Sequence, residues 1–226
     1  MNYFVTTSIP YANGDPHIGH ALEYVMADTL ARAARKQGKS TIFSTGSDEH
    51  GTKVAEKAAE LKLTPMVLAD RQSQKFRELA SLLNISNDRF IRTTDKGHEQ
   101  RAAIIWKQLS KDIYKSKYIG LYCTGCEAFV TEAVAKDNNN TCPNHSKPYE
   151  RVEEENYFFK LSAYNDQIRA AIQSGVFEVI PNTRRNEILS IITEGLEDIS
   201  ISRPVDKISW GIPVPGDKTQ VMYVWF

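Results

Sequence analysis

A chain of 226 residues can bury a substantial core, and its 41% hydrophobic and 25% charged residues are ordinary for a globular fold. Its 28 basic and 28 acidic residues cancel, so no overall basic field points to nucleic acid, leaving only a local patch for that role. No run of about 18 apolar residues and no basic, apolar leader occurs, so neither a membrane helix nor a signal peptide is expected and a cytoplasmic location is the default expectation.

Residues 3–9 read as a buried strand, followed by a helix from about residue 16 or 17. Ile18, Ala21, Leu22, Val25, Met26, Thr29 and Ala33 recur at three- and four-residue steps and predict its apolar face. Residues 39–45 predict a second strand and 46–51 a loop. Helices are expected over 52–61, over 65–83 with Thr64 as N-cap and Pro65 at N1, and over 96–114. Strands alternating with helices across short loops predict an α/β fold with a parallel, doubly wound sheet.

The pattern changes near residue 118: cysteines, glycines and three asparagines at 138–140 dominate to about 148, with short β-prone pieces between them. The asparagine run reads as an exposed turn. Helices at 162–175 and 184–196 precede strands at 199–203 and 220–226. This order makes 118–198 an insertion, with 1–117 the first half of a domain and 199–226 the start of its second half.

Cys123-Thr-Gly-Cys126 and Cys142-Pro-Asn-His145 place two short-spaced ligand pairs fifteen residues apart and use every cysteine of the chain. Three thiolates and one imidazole meet the tetrahedral demand of zinc, and Gly125 suits the turn that points both sulfurs inward. Four protein ligands leave no open position, so the metal expected, within about 118–150, is a structural Zn2+. An incidental trio of cysteines is the bland alternative.

His17-Ile-Gly-His20 puts two imidazoles three residues apart on one face at a helix start. Free backbone N–H groups and the positive end of the helix dipole make that turn an anion site. Gly19, lacking a Cβ, lets a flat ligand approach the backbone. Imidazole N–H donors there suit phosphate oxygens that gain charge in a transition state. Packed histidines on an ordinary helix turn remain the alternative.

Together with TTSIPYANGDPHIGHALEY at the start, GSDEHGTKV at 46–54, ISR at 201–203, WGIPVPG at 210–216 and YVWF at the end, this HIGH element resembles the class I aminoacyl-tRNA synthetases, and among them the methionyl-tRNA synthetase family. The knuckle sits where that family carries a zinc-binding connective insertion, and the inserted segment is too short for the editing domains of the leucyl, isoleucyl and valyl enzymes. The resemblance implies activation of L-methionine with ATP and Mg2+ to methionyl-adenylate, then transfer to tRNA(Met). It implies that His17 and His20 contact the ATP phosphates, that Asn13 and Gly19 lie along the nucleotide, and that Asp48 holds the substrate ammonium group. It further implies that Ile9, Tyr11 and Trp225 wall the methionine pocket and that Arg203 faces the substrate. A loop Asp at the carboxyl end of a second strand is also where open α/β sheets bind ligands, although Asp48 could instead cap the helix near Thr52.

The family's KMSKS loop and anticodon-binding domain find no counterpart before Phe226, so the 226 residues alone are expected not to catalyse ATP–pyrophosphate exchange at a useful rate. Two other readings stand beside this one: a small nucleotidyltransferase, which also uses His-x-Gly-His, and a non-catalytic zinc-ribbon RNA-binding module contacting phosphate through Arg32, Arg35, Lys36, Lys39, Arg184 and Arg185.

Overall fold

β1 (Asn2–Thr6), α1 (Ile18–Lys36) and β2 (Ser40–Ser47) open the chain as a β-α-β unit, with β1 parallel to β2 from Asn2 opposite Ser40 to Thr6 opposite Ser44. The computed structural model describes residues 2–123, 125–126, 128–130 and 132–223. They fall into two units, 2–107 with 208–223, and 108–207.

In the first unit α2 (Thr52–Glu60) and α3 (Pro65–Leu82) lead to β3 (Arg89–Arg92), which continues the parallel sheet in the order β1-β2-β3; α4 (Lys96–Gln108) follows. The Thr64 side chain accepts from Val67 N at 3.3 Å, capping α3, and Pro65 sits at N1, where no amide is needed. Gly46 permits the closest approach of β2 to β3, since a Cβ there would lie 2.0 Å from the Ile91 carbonyl oxygen. β3 was not anticipated from the sequence, and β2 runs two residues past the expected 45, to Ser47.

α1 does not bury the face its periodicity predicts. Ile18, Leu22, Val25 and Met26 are exposed, while Tyr24, Ala27, Asp28, Ala31 and Ala34 point inward, and Ala27 and Ala31 pack on Val5 and Phe43. Alanines let the helix lie close to the sheet, where bulkier residues would hold it off. Asp28 is no misfit, because it accepts from Ser86 N at 2.8 Å and Arg32 Nε at 2.6 Å, tying α1 to the loop before β3. The strand expected to be buried over 3–9 ends at Thr6 and buries Val5 alone, with Phe4 66% exposed, because α1 covers only the face that Val5 occupies.

In the second unit β4 (Ile113–Cys123), β5 (Ala128–Val130), α5 (Glu132–Asp137) and β6 (Glu150–Phe159) come first. β4 and β6 form a long antiparallel ladder from Ile113 opposite Phe159 to Tyr122 opposite Glu150, where only short β pieces were expected. The helix predicted to reach 114 therefore stops at Gln108; Ser110–Asp112 makes a 3-10 turn and Ile113 enters β4. Asn139 and Asn140 take left-handed backbone, φ 52° and 56°, in the turn after α5, as the asparagine run suggests. α6 (Asn165–Gln173), α7 (Asn182–Glu194), β7 (Ile199–Ser200) and β8 (Ser202–Pro204) complete the unit. The single strand expected at 199–203 is split at Ile201, whose N–H donates to Tyr157 O at 2.8 Å. Back in the first unit, β9 (Pro213–Val214) pairs antiparallel with β10 (Asp217–Met222), which begins three residues before the predicted strand. Among the described residues no helix is long and apolar enough to cross a membrane.

Candidate functional site

The chain after β1 and the chain after β2 meet at the carboxyl ends of these parallel strands. Asp48 N donates to Pro10 O at 2.8 Å and Ala12 N to Asp48 O at 2.8 Å, so Tyr11 and Asp48 extend the parallel pairing by one bridge. Open α/β sheets present ligand-binding loops at this edge. Asp48 does not cap α2, whose N-cap is Gly51 at φ 100°, a value that glycine tolerates.

His17 is the N-cap of α1 and His20 its N3 residue, joined in a reciprocal capping box. Gly19 N donates to His17 Nδ1 at 3.1 Å and His17 N to His20 Nδ1 at 3.1 Å, and the rings stack at 3.8 Å. The first-turn amides expected to lie free for an anion are thus partly spent on the two rings. A Cβ at Gly19 would lie 2.9 Å from the His17 ring, so glycine also leaves room for the capping imidazole. Because both Nδ1 atoms accept, each neutral ring carries its proton on Nε2. Burial, then the neighbouring His17, hold His20 below the usual imidazole pKa, favouring that neutral form. What this turn offers is therefore two Nε2–H donors rather than bare backbone amides.

The loop between β1 and α1 is held from α3. Lys75 Nζ lies 2.5 Å from Asp15 Oδ1, the Gln72 amide reaches Gly14 O at 3.1 Å, and the Phe76 ring meets His20 edge-on at 5.1 Å. Ser8, just past β1, donates its N–H and hydroxyl to Glu23 at 2.7 and 2.8 Å. Asn13 lies in the turn before Gly14, half-buried. Tyr11 packs with Trp210 against the core formed by Ala12, Val54, Ala58, Leu68 and Ala69, and Lys53 Nζ lies 5.5 Å from its ring. Ile9 is exposed. None of Gln72, Lys75, Phe76 and Glu23 was singled out in the sequence, where nothing but their polarity or size distinguishes them.

Arg203 belongs to the second unit. It is buried, its Nη1 donates to Ser200 Oγ and Ser202 O at 2.8 Å each, and its guanidinium lies 5.8 Å from the Tyr122 ring. Trp225 lies outside the described residues.

The second unit also gathers Cys123, Cys126, Cys142 and His145, with all four ligand atoms within 4.8 Å of one another. Cys126 Sγ lies 3.5 Å from Cys142 Sγ and 3.4 Å from His145 Nδ1, and Cys142 Sγ 3.5 Å from His145 Nδ1. A tetrahedron with Zn–S near ~2.3 Å and Zn–N near ~2.0 Å has edges of about 3.5–3.8 Å, so these three separations fit this metal, with the Cys123 sulfur close by as the fourth donor. Burial pushes the Cys126 thiol up to about 11, whereas the His145 hydrogen bond draws Cys142 down to about 6. Gly125 is obligatory here, since a Cβ would lie 2.4 Å from the His145 ring. These four residues could hold a metal ion.

A family model described as tRNA synthetases class I (M) matches residues 3–152 and 139–226. The methionine–tRNA ligase of Brucella melitensis is 45% identical over 228 residues, 99% of this chain and 44% of that protein. That of Fusobacterium nucleatum is 40% identical over 227 residues, 100% of this chain and 35% of that protein. The crystal structure of Mycobacterium tuberculosis methionyl-tRNA synthetase bound by methionyl-adenylate is similar at a TM-score of 0.91 and 40% identity, over 100% of this chain and 45% of that one. The chain spans less than half the length of the curated relatives it matches. Neither a small nucleotidyltransferase nor an isolated zinc-ribbon RNA module accords with these matches.

Proposed function

Because the chain belongs to the class I (M) tRNA synthetases, we propose that it is the part of a methionine–tRNA ligase that brings ATP and methionine together. In this reading the methionine carboxylate attacks the α-phosphorus of ATP, forming methionyl-adenylate and releasing pyrophosphate, and the methionyl group then passes to the 3′ end of tRNA(Met). The observation that carries it is the paired capping of His17 and His20, which turns both Nδ1 atoms onto the helix turn that follows the Tyr11–Asp48 bridge and leaves two Nε2–H donors for a ligand.

Each residue has a task that follows from its surroundings. The Nε2–H groups of His17 and His20 donate to phosphate oxygens as negative charge grows there, and the capping bonds prevent either ring from turning the wrong nitrogen outward. Asn13 and Gly19 lie along the nucleotide. Asp48, held by two backbone bonds to the Pro10–Ala12 segment, offers its carboxylate to the methionine ammonium group. Ile9, Tyr11 and Trp225 supply an apolar and aromatic wall suited to a polarizable thioether, and Arg203 is assigned to face the methionine substrate. Mg2+ accompanies ATP. Zn2+ on Cys123, Cys126, Cys142 and His145 supplies cross-linking of a small subdomain and no chemistry. The organisation proposed is a nucleotide-binding half over 1–117 and 199–226, interrupted by a connective insertion over 118–198, in a cytoplasmic enzyme.

The test is ATP–pyrophosphate exchange by the intact protein with each of the twenty amino acids. Exchange that depends on methionine supports the proposal; exchange driven by another amino acid, or by none, refutes it.

A further inference from the structure

Glu49 follows Asp48 in the loop after β2, yet its side chain has no exposed surface at all. A carboxylate sealed from water persists only where opposite charge and hydrogen bonds replace its hydration. Arg92 Nε, on β3, lies 2.7 Å from Glu49 Oε1, Ser47 Oγ donates to the same oxygen at 2.7 Å, and the Thr94 hydroxyl donates to Oε2. Arg92 is itself held, its Nη2 lying 2.7 Å from Asp70 Oδ1 on α3. The backbone of Glu49 is fixed as well: its N–H donates to Thr93 Oγ1 at 2.9 Å, and Trp210 Nε1 donates to its carbonyl at 2.5 Å.

We infer that Glu49 and Arg92 are positioning residues for amino-acid binding: their buried ion pair fixes the loop so that the Asp48 carboxylate stands ready for the substrate ammonium group. This rests on the proposed role of Asp48. Two properties of the pair go beyond holding the fold together. First, Glu49 is bolted to β2, to 92–94, to α3 and to Trp210, and Asp48 is pinned by backbone bonds to Pro10 and Ala12, so little but side-chain torsion remains to Asp48. A preplaced carboxylate binds a cation without first having to be ordered. Second, Arg92 cancels the charge of Glu49, so of the two adjacent carboxylates only Asp48 presents charge to a ligand. Without Arg92 the loop would carry two competing anions.

The experiment uses steady-state pyrophosphate exchange by the intact protein carrying Glu49→Gln, which keeps the side-chain volume and hydrogen-bonding reach but removes the ion pair. The expected result is a KM for methionine raised tenfold or more, with the KM for ATP within twofold of the parent and kcat within about threefold. A role in folding alone would lower kcat through a smaller active fraction and leave both KM values in place; that outcome, or an equal rise of both KM values, overturns the inference. Should Glu49→Gln fail to melt cooperatively, Arg92→Lys takes its place, because it keeps the cation but cannot span Glu49 and Asp70 with one planar fork. Asp48→Asn runs in parallel. If it raises the methionine KM and the Glu49 and Arg92 variants do not, the inference alone falls; if it leaves the methionine KM unchanged, the role of Asp48 falls and the inference with it.

Discussion

His17 and His20 stack with ring centroids 3.8 Å apart, and each ring turns its Nδ1 onto an amide of its own helical turn. One pair of side chains thereby starts α1 and presents two outward donors. Asparagine separates the two tasks, since its amide oxygen can accept at the cap but nothing in it reaches the place of Nε2. His17→Asn should cost under ~0.5 kcal/mol of stability, against ~1 kcal/mol for His17→Ala. His17→Asn and His20→Asn should each slow exchange a hundredfold or more, about 2.7 kcal/mol of transition-state stabilisation. Denaturant titration and exchange on the same preparations check both; a loss of only a few-fold in rate would return the rings to capping alone.

The cysteine knuckle should carry one Zn2+ per chain, measured by elemental analysis. His145→Ala and Gly125→Ala should both lose it, the first by removing a ligand and the second by driving a Cβ to 2.4 Å from the His145 ring. Removal by chelator should unfold the segment around the knuckle, seen as new protease cleavage between 118 and 150, because the metal replaces core that so short a segment lacks.

His50 gives a pH dependence of defined sign. Burial, more than any neighbour, holds its imidazole down at about 4, and the residue is only 5% exposed beside Trp210. An unfolded chain protonates this histidine near ~6.5, so between ~6.5 and ~4 the unfolded state binds the extra proton. The contribution to stability is fully present above ~6.5 and is lost as pH falls toward 4, by an amount on the order of 2–3 kcal/mol. His50→Gln should flatten that part of the stability curve, measured by urea denaturation at pH 5 and 7.5.

Gly46→Ala should destabilise the first unit by ~3 kcal/mol or more, because the added methyl would stand 2.0 Å from a backbone oxygen of β3 that cannot swing away. Chemical denaturation checks it, and a change under ~1 kcal/mol would mean that β2 and β3 lie farther apart than described.

Much of this architecture is legible in the sequence where one local signal suffices. Thr64-Pro65 announces α3, and the paired Cys-x-x-Cys and Cys-x-x-His spacing announces the four-ligand cluster that the second unit closes in space. α1 misleads because it is apolar on two sides: the long residues Leu22 and Met26 dominate the periodicity, while the side that meets the sheet is made of alanines, Tyr24 and a satisfied Asp28. β3 is four residues, Arg-Phe-Ile-Arg, too short to show a period. The β4–β6 ladder hides because charged residues, such as Lys117 opposite Glu155, are mixed with apolar ones along both strands, so neither shows a clean alternation. At the site, Asp48 is visible as a loop residue after a strand, whereas Glu49 and Arg92 are 43 residues apart and nothing local joins them.

A crystal structure of the intact protein with methionine and a non-hydrolysable ATP analogue is the sharpest trial of the whole picture. It should find the distal nitrogens of His17 and His20 within ~3 Å of phosphate oxygens and an Asp48 oxygen on the ligand's amino nitrogen. Triphosphate seated away from both rings, or an amino acid anchored elsewhere than Asp48, would contradict it.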